Sequence, residues 1–564
     1  MKKIYTLISL LLLVNSVLFA QSDLYDEHPA FPYYLTAEEQ LLKHTLTEKA
    51  ARNATVAPLG PVTALAEFQP MMGVMIAYPL GIPVNFVAQL SQVTQVKVLV
   101  NSASQQNTAN TNFSQHGVNM SNVEFWIIPH DSYWTRDYGP WFIIDGNDDV
   151  AVIDFTYNRP QREQDDASMQ YVVQHLNMNM YAMPMIHTGG NYMVDGYGTA
   201  ASTQLVIDEN PSETVTSLRQ MAQEYLGIDQ YYFIEDPMHD YIYHIDCWGK
   251  YLGVDKVLVA QVPTSDYRYN DYEAAAAVFA NATTPWGNHY KVFRVYEPGS
   301  GWQATPYTNS LILNDHVYVP QTGSQWDDEA IAVYEEAMPG YTIVPVMQVS
   351  NTPWENTDAL HCRTHELADK GMLYIKHYPF LGVQEIEDDA LLSADIKTLS
   401  GQSLVTDSVL AYYRINHGAW QTVPLTSVGG NSFEASISGL QNLDTVDYYL
   451  FAKDQSGRRE HHPYIGAADP HQFIVNKNQN AIAESQAETS ILLYPNPAVD
   501  RIVIKGENLS EVKVYNSVGQ LVSTYPLQDG ANTINCKDWS AAIYYLSIYT
   551  SNGEKISRKI VKAN

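Results

Sequence analysis

The chain has 564 residues, enough for about three domains at the usual size of roughly 100–200 residues each. Acidic residues outnumber basic residues by 62 to 32, and the formal charge is −30. Because binding to a phosphate backbone needs surfaces rich in lysine and arginine, this balance argues against nucleic acid as a partner.

Residues 1–20 have the pattern of a secretory signal peptide. Lys2 and Lys3 precede an apolar run from Ile4 to Phe19, and a small alanine ends the run before a polar stretch. A membrane anchor is the alternative, but the run is short against the roughly 20 apolar residues that a spanning helix needs. No later segment is long and apolar enough to span, so we expect no membrane-spanning segment in the mature chain.

Composition divides the rest of the chain into five parts. Residues 21–56 are polar and predict a partly helical pro-segment or cap. Residues 57–382 mix short strands with helices, which favours an α/β domain. Residues 383–476 contain β-rich runs separated by turn signals, which is typical of an immunoglobulin-like β-sandwich. The polar residues 477–490 predict a linker, and residues 491–564 predict a small β domain.

Three cysteines are too few and too widely spaced for a disulfide framework. They are Cys247, Cys362 and Cys536. At least one thiol is therefore free, and a free thiol in an exported protein serves either as a small buried apolar group or as a nucleophile.

The segment from Ser132 to Trp141 gathers a carboxylate, an arginine and four large aromatic residues in a loop between two predicted strands. Aromatic faces stack on a flat cation such as guanidinium, and a carboxylate such as Asp137 accepts two parallel hydrogen bonds from it. The alternative is an aromatic core plug with a structural ion pair between Arg136 and Asp137.

A second group of polar residues surrounds His244 and Asp246. In a predicted strand these two residues are two apart and point to the same face, where they could transfer protons or bind a metal ion. Cys247 would then point to the opposite face, which favours burial. A further short strand is predicted at Gln204–Ile207.

Cys362 stands between His361 and Arg363, with His365 close by. Positive neighbours stabilise a thiolate and favour a nucleophile. The alternatives are a lone buried cysteine and a metal site of His361, Cys362 and His365, which lacks the spacing of recognisable metal motifs.

Five motifs in this order resemble the guanidine-modifying superfamily, and within it the Porphyromonas-type bacterial peptidylarginine deiminases, which are related to agmatine deiminases. The resemblance implies a five-bladed pseudo-symmetric α/β propeller with the site at its central axis, followed by an immunoglobulin-like domain. The motifs are Trp134-Thr-Arg-Asp137-Tyr, Thr188-Gly-Gly-Asn-Tyr-Met-Val-Asp-Gly-Tyr-Gly198, His244-Ile-Asp246-Cys-Trp-Gly-Lys, Pro306-Tyr-Thr-Asn309-Ser and Thr357-Asp-Ala-Leu-His-Cys362-Arg-Thr-His-Glu.

The resemblance assigns roles to individual residues. Cys362 matches the nucleophile that attacks the guanidinium carbon, and His244 matches the general acid and base. Asp137 and Asp246 match the carboxylates that hold the guanidinium nitrogens, and Asn309 matches an asparagine near the nucleophile. Further substrate contacts are implied for Trp134, which would pack on the arginine stem, for Tyr241, which would close the pocket, and for Thr357.

One motif departs from the family pattern. The family's Asn-Arg-Pro-Arg segment, taken to bind the C-terminal carboxylate of a peptide substrate, here reads Asn158-Arg-Pro-Gln161. Arg159 is kept, but Gln161 replaces the second arginine and loses a charge-assisted hydrogen bond of about 1.5–3 kcal/mol. Arg162 follows at once and is a candidate replacement. The preference for C-terminal over internal arginine stays open.

Residues 491–564 resemble the C-terminal sorting domain that Bacteroidetes use for type IX secretion. The resemblance rests on the opening Leu493-Tyr-Pro-Asn-Pro-Ala498 and on the basic residues from Lys555 to Lys562. Another β-sandwich repeat is the alternative. The resemblance implies a secreted or cell-surface protein that has the type IX secretion machinery as a partner.

These features together predict an exported hydrolase that converts peptidyl-arginine, expected at the C-terminus of the substrate, to peptidyl-citrulline and ammonia through a covalent thiouronium. One alternative is a deiminase of agmatine or another small guanidino compound, which would not need Arg159. Another is a non-catalytic surface adhesin, against which the complete set of Cys362, His244 and two aspartates argues. Arginine-containing peptides or proteins are the expected partners. No EF-hand-like loop is present in the sequence, so no cofactor or metal is expected.

Overall fold

The computed structural model describes residues 31–239, 242–299, 304–350, 352–477, 491–496, 498–516, 520–551 and 555–563. The predicted signal peptide and Tyr241 lie outside these ranges, as does the predicted linker except for its first residue. The chain divides into two compact units, Met1–Asn476 and Lys477–Asn564.

Helices occur only in the first of these units within the described residues. None of the described helices is long and apolar enough to cross a membrane. The helices are α1 (Ala37–Leu42), α2 (His44–Asn53), α3 (Val84–Val93), α4 (Ala103–Gln115), α5 (Thr135–Tyr138), α6 (Glu163–Leu176), α7 (Leu205–Glu209), α8 (Val215–Leu226), α9 (Tyr269–Asn281) and α10 (Asp327–Ala337).

Short strands alternate with these helices up to residue 368, so this part of the chain is a mixed α/β structure. The strands are β1 (Thr63–Ala64), β2 (Met71–Ala77), β3 (Gln95–Val100), β4 (Val123–Ile127), β5 (Trp141–Ile144), β6 (Val150–Tyr157), β7 (Asn179–His187), β8 (Met193–Val194), β9 (Thr199–Thr203), β10 (Gln230–Ile234), β11 (Gly249–Gly253), β12 (Lys256–Gln261), β13 (Lys291–Tyr296), β14 (Leu311–Leu313), β15 (His316–Gln321), β16 (Thr342–Met347) and β17 (His365–Ala368).

These strands form five small sheets that repeat one pattern. Their strand orders are β1-β5-β6-β7, β10-β9-β8, β11-β12-β13, β14-β15-β16 and β17-β2-β3-β4. In each sheet a central strand pairs antiparallel with one neighbour and parallel with the other. At least one helix connects the two parallel strands, as parallel pairing requires. The last strand, β17, joins the sheet of β2, so the end of this region lies beside its beginning.

The third sheet shows how the sequence produces this unit. Residues Val257–Ala260 of β12 form a continuous buried apolar run, as expected for a parallel strand that is covered on both faces. The connecting helix α9 buries Tyr272, Ala275, Ala276 and Phe279, whose spacing is that of one helical face. Burial of this face against the sheet is the main stabilisation of the unit.

Most predicted strands are present, with ends that move by one or two residues. The predicted strand Gln204–Ile207 is wrong, because helix α7 begins at Leu205. Strand β9 ends at Thr203, and the Asn210 side chain donates to the carbonyl oxygens of Val206 and Ile186. The three apolar residues Leu205–Ile207 are too short a run for its period to separate strand from helix, so these tertiary hydrogen bonds decide.

Two further sheets follow and share one apolar core. Their orders are β18-β20-β24-β23 and β19-β27-β25-β21-β22, with β26 on β25. The first of these sheets contains β18, which precedes residue 383, the predicted start of this domain. The strands are β18 (Leu373–His377), β19 (Gly382–Glu385), β20 (Ala390–Thr398), β21 (Leu410–Ile415), β22 (Gln421–Pro424), β23 (Thr426–Gly429), β24 (Ser432–Ile437), β25 (Thr445–Lys453), β26 (Arg459–His462) and β27 (His471–Asn476).

The C-terminal unit is all-β in its described residues. Its two sheets, β28-β29-β32 and β31-β30-β33-β34, share an apolar core that contains the buried Cys536. The strands are β28 (Leu492–Tyr494), β29 (Arg501–Gly506), β30 (Leu509–Asn516), β31 (Leu521–Pro526), β32 (Gly530–Asn535), β33 (Ala542–Thr550) and β34 (Lys555–Lys562).

Tyr448 lies in the core between the two sheets formed by β18–β27, and it links this core to the segment that follows β18. Its buried hydroxyl accepts a hydrogen bond from the Phe380 backbone N–H and is 2.8 Å from the His377 Nε2 atom. We expect Tyr448→Phe to lower the free energy of unfolding by about 1–3 kcal/mol, because the buried N–H loses its acceptor. Thermal and urea unfolding measure this loss. The half-buried Tyr449→Phe is the matched control, and equal stability of the two variants would contradict the assignment.

Candidate active site

The Cys362 thiol lies in the connection between β16 and β17 and is 2% exposed. Asn309, in the connection between β13 and β14, holds this segment in place. Its Oδ1 atom accepts from the backbone N–H groups of Ala359 (2.8 Å) and Cys362 (3.2 Å), and its Nδ2 atom lies 3.1 Å from Cys362 Sγ. One amide side chain thus fixes both the backbone and the sulfur of the cysteine.

Carboxylates surround the Cys362 sulfur. Asp358 Oδ1 lies 3.3 Å from it and Asp246 Oδ2 lies 3.5 Å away. Burial raises the pKa of Cys362 well above its ordinary value, and the nearby Asp246 and Asp358 carboxylates raise it further. The expectation that positive neighbours stabilise a Cys362 thiolate is therefore wrong. The Arg363 guanidinium bonds instead to the Gly81 and Pro353 carbonyls.

Cys247 is buried, as expected, but it does not point away from the site. Its sulfur lies 3.6 Å from Asp246 Oδ1 and 3.6 Å from Asp358 Oδ1, the same two carboxylates that contact Cys362. The prediction of an opposite face assumed a strand. The chain forms a short 3-10 turn at Ile245–Cys247, in which successive side chains lie about 120° apart rather than on opposite faces, so Cys247 is not turned away from Asp246.

The predicted strand through His244 and Asp246 is thus wrong, yet both side chains reach one place. His244 Nδ1 lies 3.5 Å from Asp137 Oδ1, which comes from α5. A Cβ atom on Gly190 would stand within 3.3 Å of polar atoms of His244, Asp137 and Asp246. Glycine at this position therefore leaves room among the three side chains, and any larger residue would fill the space between them.

Several polar atoms in this space are buried and lack a hydrogen-bond partner. They are both ring nitrogens of His244 and the Oδ1 atom of Asp137. Buried polar atoms are nearly always paired, because each unpaired atom costs about 1–3 kcal/mol. A buried imidazole and a buried carboxylate that stand close together without hydrogen-bond partners indicate a site for a polar ligand.

Behind Asp246 lies a network that the sequence did not reveal. His361 Nδ1 is 2.7 Å from Asp246 Oδ2, and His361 Nε2 is 3.1 Å from Glu67 Oε2, which also bonds to Lys250. Burial opposes the ionisation of Asp246, but the hydrogen bond and electrostatic attraction of His361, with smaller contributions from His244 and Lys250, together outweigh burial and lower the pKa of Asp246. Burial likewise opposes the ionisation of Glu67, and Lys250 and His361 hold its pKa well below the ordinary value. Both carboxylates therefore stay charged.

The alternative ion pair between Arg136 and Asp137 is not formed. Arg136 pairs instead with Glu366 through two hydrogen bonds of 3.1 and 2.6 Å, and it donates to the His361 carbonyl. A guanidinium that is already bonded to Glu366 leaves the Asp137 carboxylate available to another cation. Glu366 was also absent from the sequence prediction, although it closes the same motif as Cys362.

The predicted carboxylate-binding residues contact the N-terminal segment. Arg159 Nη2 donates to the Tyr33 carbonyl (2.8 Å), and Arg162 Nη2 donates to the carbonyls of Pro32 (2.6 Å) and Tyr34 (3.1 Å). Arg162 is fully buried and pairs with Glu39 at 3.0 Å.

The other predicted substrate contacts differ in their surroundings. Gln161 is half-buried. Trp134 is buried, and its Nε1 atom donates to the Phe31 carbonyl. Thr357 is buried and directs its hydroxyl toward the Met238 sulfur at 3.7 Å, while Tyr241 lies outside the described residues.

Only some of the possible metal ligands lie close together. In the described part of the chain, ligand atoms of Asp246, Cys247 and Cys362 lie within 4.8 Å of one another. His365, the other predicted ligand, bonds instead to the Glu366 carbonyl, and a Cβ atom on Gly139 would clash with its ring. The metal site that would combine His361, Cys362 and His365 is therefore not formed.

Comparison with known proteins identifies the class. A relative from Selenomonas ruminantium, named agmatine deiminase, is 23% identical over 335 residues, which cover 50% of this chain and 89% of the relative. A solved structure of a protein named agmatine deiminase, 20% identical, covers 56% of this chain and 99% of its own, with a TM-score of 0.50, and shows the same fold. Agmatine deiminase of Enterococcus faecalis is 21% identical over 57% of this chain and 97% of its own, with a TM-score of 0.47.

The fold and the matches define a guanidine-modifying deiminase. The model of the Porphyromonas-type peptidyl-arginine deiminase family matches residues 81–367, and the chain belongs to this family. The model of the secretion system C-terminal sorting domain matches residues 492–563. The C-terminal unit is thus a type IX sorting domain, and the protein is secreted or displayed on the cell surface.

The buried pair of Arg136 and Glu366 should govern stability in acid. Burial opposes the ionisation of Glu366, but Arg136 outweighs it and lowers the pKa of Glu366 to about 2. A lowered pKa stabilises the folded state above the ordinary value of 4.5 and ceases to do so as the pH falls toward about 2. We expect Glu366→Gln to lose about 3–5 kcal/mol at neutral pH, because the charge of Arg136 stays buried and unpaired.

Urea unfolding at several pH values between 2 and 7 tests this expectation, with the exposed Glu335→Gln as the control. The difference between wild type and Glu366→Gln should shrink as the pH falls below about 4.5. A difference that stays constant down to about pH 2 would contradict the role of the pair.

Proposed function

We propose that this protein hydrolyses the guanidinium group of arginine in peptides to give citrulline and ammonia. The observation that carries the proposal is the buried cluster of Cys362, Asp137, Asp246 and His244, in which both His244 ring nitrogens and Asp137 Oδ1 have no hydrogen-bond partner. A guanidinium group is flat and cationic and carries several N–H donors, which complements two carboxylates on either side of it.

In the proposed mechanism, Asp137 and Asp246 accept hydrogen bonds from the guanidinium nitrogens and orient its carbon toward Cys362. The bound cation offsets the negative carboxylates that raise the pKa of the thiol, so the thiol loses its proton when substrate is present. The thiol proton goes to solvent, while His244 delivers one proton to the departing nitrogen, so the number of protons is conserved. Attack by sulfur and departure of ammonia then leave a covalent thiouronium.

The same residues serve the second half of the reaction. His244 takes a proton from a water molecule, which attacks the thiouronium carbon. The carbon–sulfur bond breaks, the second proton of the water passes to the departing Cys362 sulfur to restore the thiol, and the carbon keeps the water oxygen as the citrulline carbonyl. Asn309 positions the sulfur throughout, and the reaction requires only side chains of this chain.

The choice of substrate is part of the proposal. Arg159, held beside the Asn158 amide, supports binding of a peptide carboxylate, and the family name supports peptidyl-arginine. The names of the relatives support the second candidate, a deiminase of agmatine or another small guanidino compound. A non-catalytic adhesin is disfavoured because it would leave the buried polar atoms of His244 and Asp137 without a ligand to pair with.

The finer architecture is proposed as well. Five sheets of one repeated pattern support a five-bladed pseudo-symmetric propeller, with each proposed catalytic residue in a connection between two sheets. Two sheets around one core support an immunoglobulin-like domain at residues 383–476. Residues 1–20 remain a proposed signal peptide.

The nucleophile can be distinguished from its neighbour by mutation. We expect Cys362→Ala to form no citrulline, because no other group would attack the guanidinium carbon. Cys247→Ala should keep at least a tenth of the wild-type rate, because its sulfur contacts the site without reacting. Citrulline is measured colorimetrically, with circular dichroism as the folding control. Turnover by Cys362→Ala would refute the mechanism.

Substrate preference is tested with three compounds in a buffer that contains a chelator. The compounds are a peptide ending in arginine, the same peptide with arginine inside, and agmatine. We expect the first to have the highest kcat/KM, and Arg159→Ala to reduce that value at least tenfold while agmatine turnover changes little. Activity on agmatine alone would favour the second candidate, and equal turnover of the two peptides would show that Arg159 binds no carboxylate.

A further inference from the structure

Four residues of the N-terminal segment, Phe31–Tyr34, lie on the side chains proposed to bind a substrate peptide. Carbonyl oxygens from this segment accept from Trp134 Nε1, from Arg159 Nη2 and, twice, from Arg162 Nη2. The Phe31 ring lies 5.2 Å from the guanidinium of Arg162. The segment therefore uses its main chain and an aromatic side chain as a bound peptide would.

The two helices that follow anchor this segment to the catalytic region. Glu39 of α1 is fully buried, and it bonds both to Arg162 (3.0 Å) and to the backbone N–H of Thr36 (2.8 Å). In α2, Lys49 pairs with Asp166 at 2.6 Å, and Leu46 packs on Ile186. These contacts hold residues 31–53 against the face that contains the proposed substrate groove.

The contacts leave the two arginines incompletely paired. Arg159 Nε and Arg162 Nη1 are buried and have no hydrogen-bond partner. Neutral carbonyl oxygens also bond to guanidinium more weakly than a carboxylate does. A peptide that brings a carboxylate to this groove would satisfy donors that the N-terminal segment leaves unpaired, so the groove is better matched to such a ligand than to its present occupant.

We propose that Phe31–Tyr34 is a tethered peptide ligand of this groove, and that the chain carrying residues 31–53 is latent until the segment leaves. The ligand class of the opened groove is an extended peptide that ends in a carboxylate. The proposal rests on the proposed deiminase function for its activity assay, but its binding assay does not.

The chain offers a place for release by proteolysis. Residues 51–56 are exposed at the end of α2 and just beyond it, and they include Arg52. The next contacts belong to the catalytic region, because the Thr55 backbone bonds to the Ala182 carbonyl and its own carbonyl accepts from the Tyr225 hydroxyl. A cut after Arg52 would free the whole segment and leave the Thr55 contacts intact.

The first test is a pair of point variants in the full chain. Glu39→Gln removes the buried charge opposite Arg162, and the neighbouring exposed Glu38→Gln is the matched control. We expect Glu39→Gln to raise kcat/KM for the peptide ending in arginine at least fivefold, with Glu38→Gln equal to wild type. Treatment with an arginine-specific protease should raise the wild-type value at least tenfold, and Arg52→Gln should prevent that rise. Intact mass identifies the cut.

The second test measures binding without catalysis. A fluorescent synthetic peptide of residues 31–53 is added to the cut Cys362→Ala protein after the released segment is removed by gel filtration. We expect the wild-type peptide to bind, and the same peptide carrying Glu39→Gln to bind at least tenfold more weakly. A peptide that ends in arginine should displace the bound wild-type peptide.

Absence of binding, or turnover that is measurable before the cut and unchanged after it, would overturn the tethered-ligand proposal. Binding of the peptide together with no turnover of any guanidino compound would support the tethered ligand and would instead refute the deiminase function. The two proposals can therefore fail separately.

Discussion

The charge of buried Asp246 is the constraint on which the site depends. A carboxylate with almost no exposure to water would ordinarily take up a proton, and then it could not hold a cation. His361, Glu67 and Lys250 form an alternating chain of hydrogen bonds behind it that keeps it ionised and fixes its direction. The same negative charge raises the pKa of the neighbouring Cys362 thiol. In the proposed mechanism, a bound cation offsets this effect.

The repeated sheets explain how distant residues meet. Asp137, Gly190, Asp246, Asn309 and Cys362 each lie in a connection that leaves one sheet and enters the next. Because the five sheets share one pattern of pairing, these connections occupy equivalent places in the repeat. Pairing of β17 with β2 then brings the cysteine segment back to the sheet that begins with β2. There Glu366 of β17 bonds to Arg136. The chemistry therefore depends on the order of the sheets more than on any one element.

The C-terminal unit, as a sorting domain, concerns export rather than chemistry. The sorting domain defines the route across the outer membrane. The N-terminal segment, seated on Arg159 and Arg162, would keep the groove occupied until the protein reaches a place where the segment can be removed.

Sequence alone determined the family, the sorting domain and the identities of the expected site residues, because these follow from residue types at given spacings. Most strands in residues 57–382 also followed from apolar runs. It failed where a local pattern was ambiguous: Gln204–Ile207 has no period, and His244–Asp246 forms a turn that brings Cys247 to the thiol. Only the tertiary structure revealed the contacts of Glu67 and Glu366 and showed that the N-terminal segment bonds to Arg159 and Arg162. Charges that act through space across 100 or more residues leave no local pattern in a sequence, whereas burial and hydrogen bonding decide which of them meet.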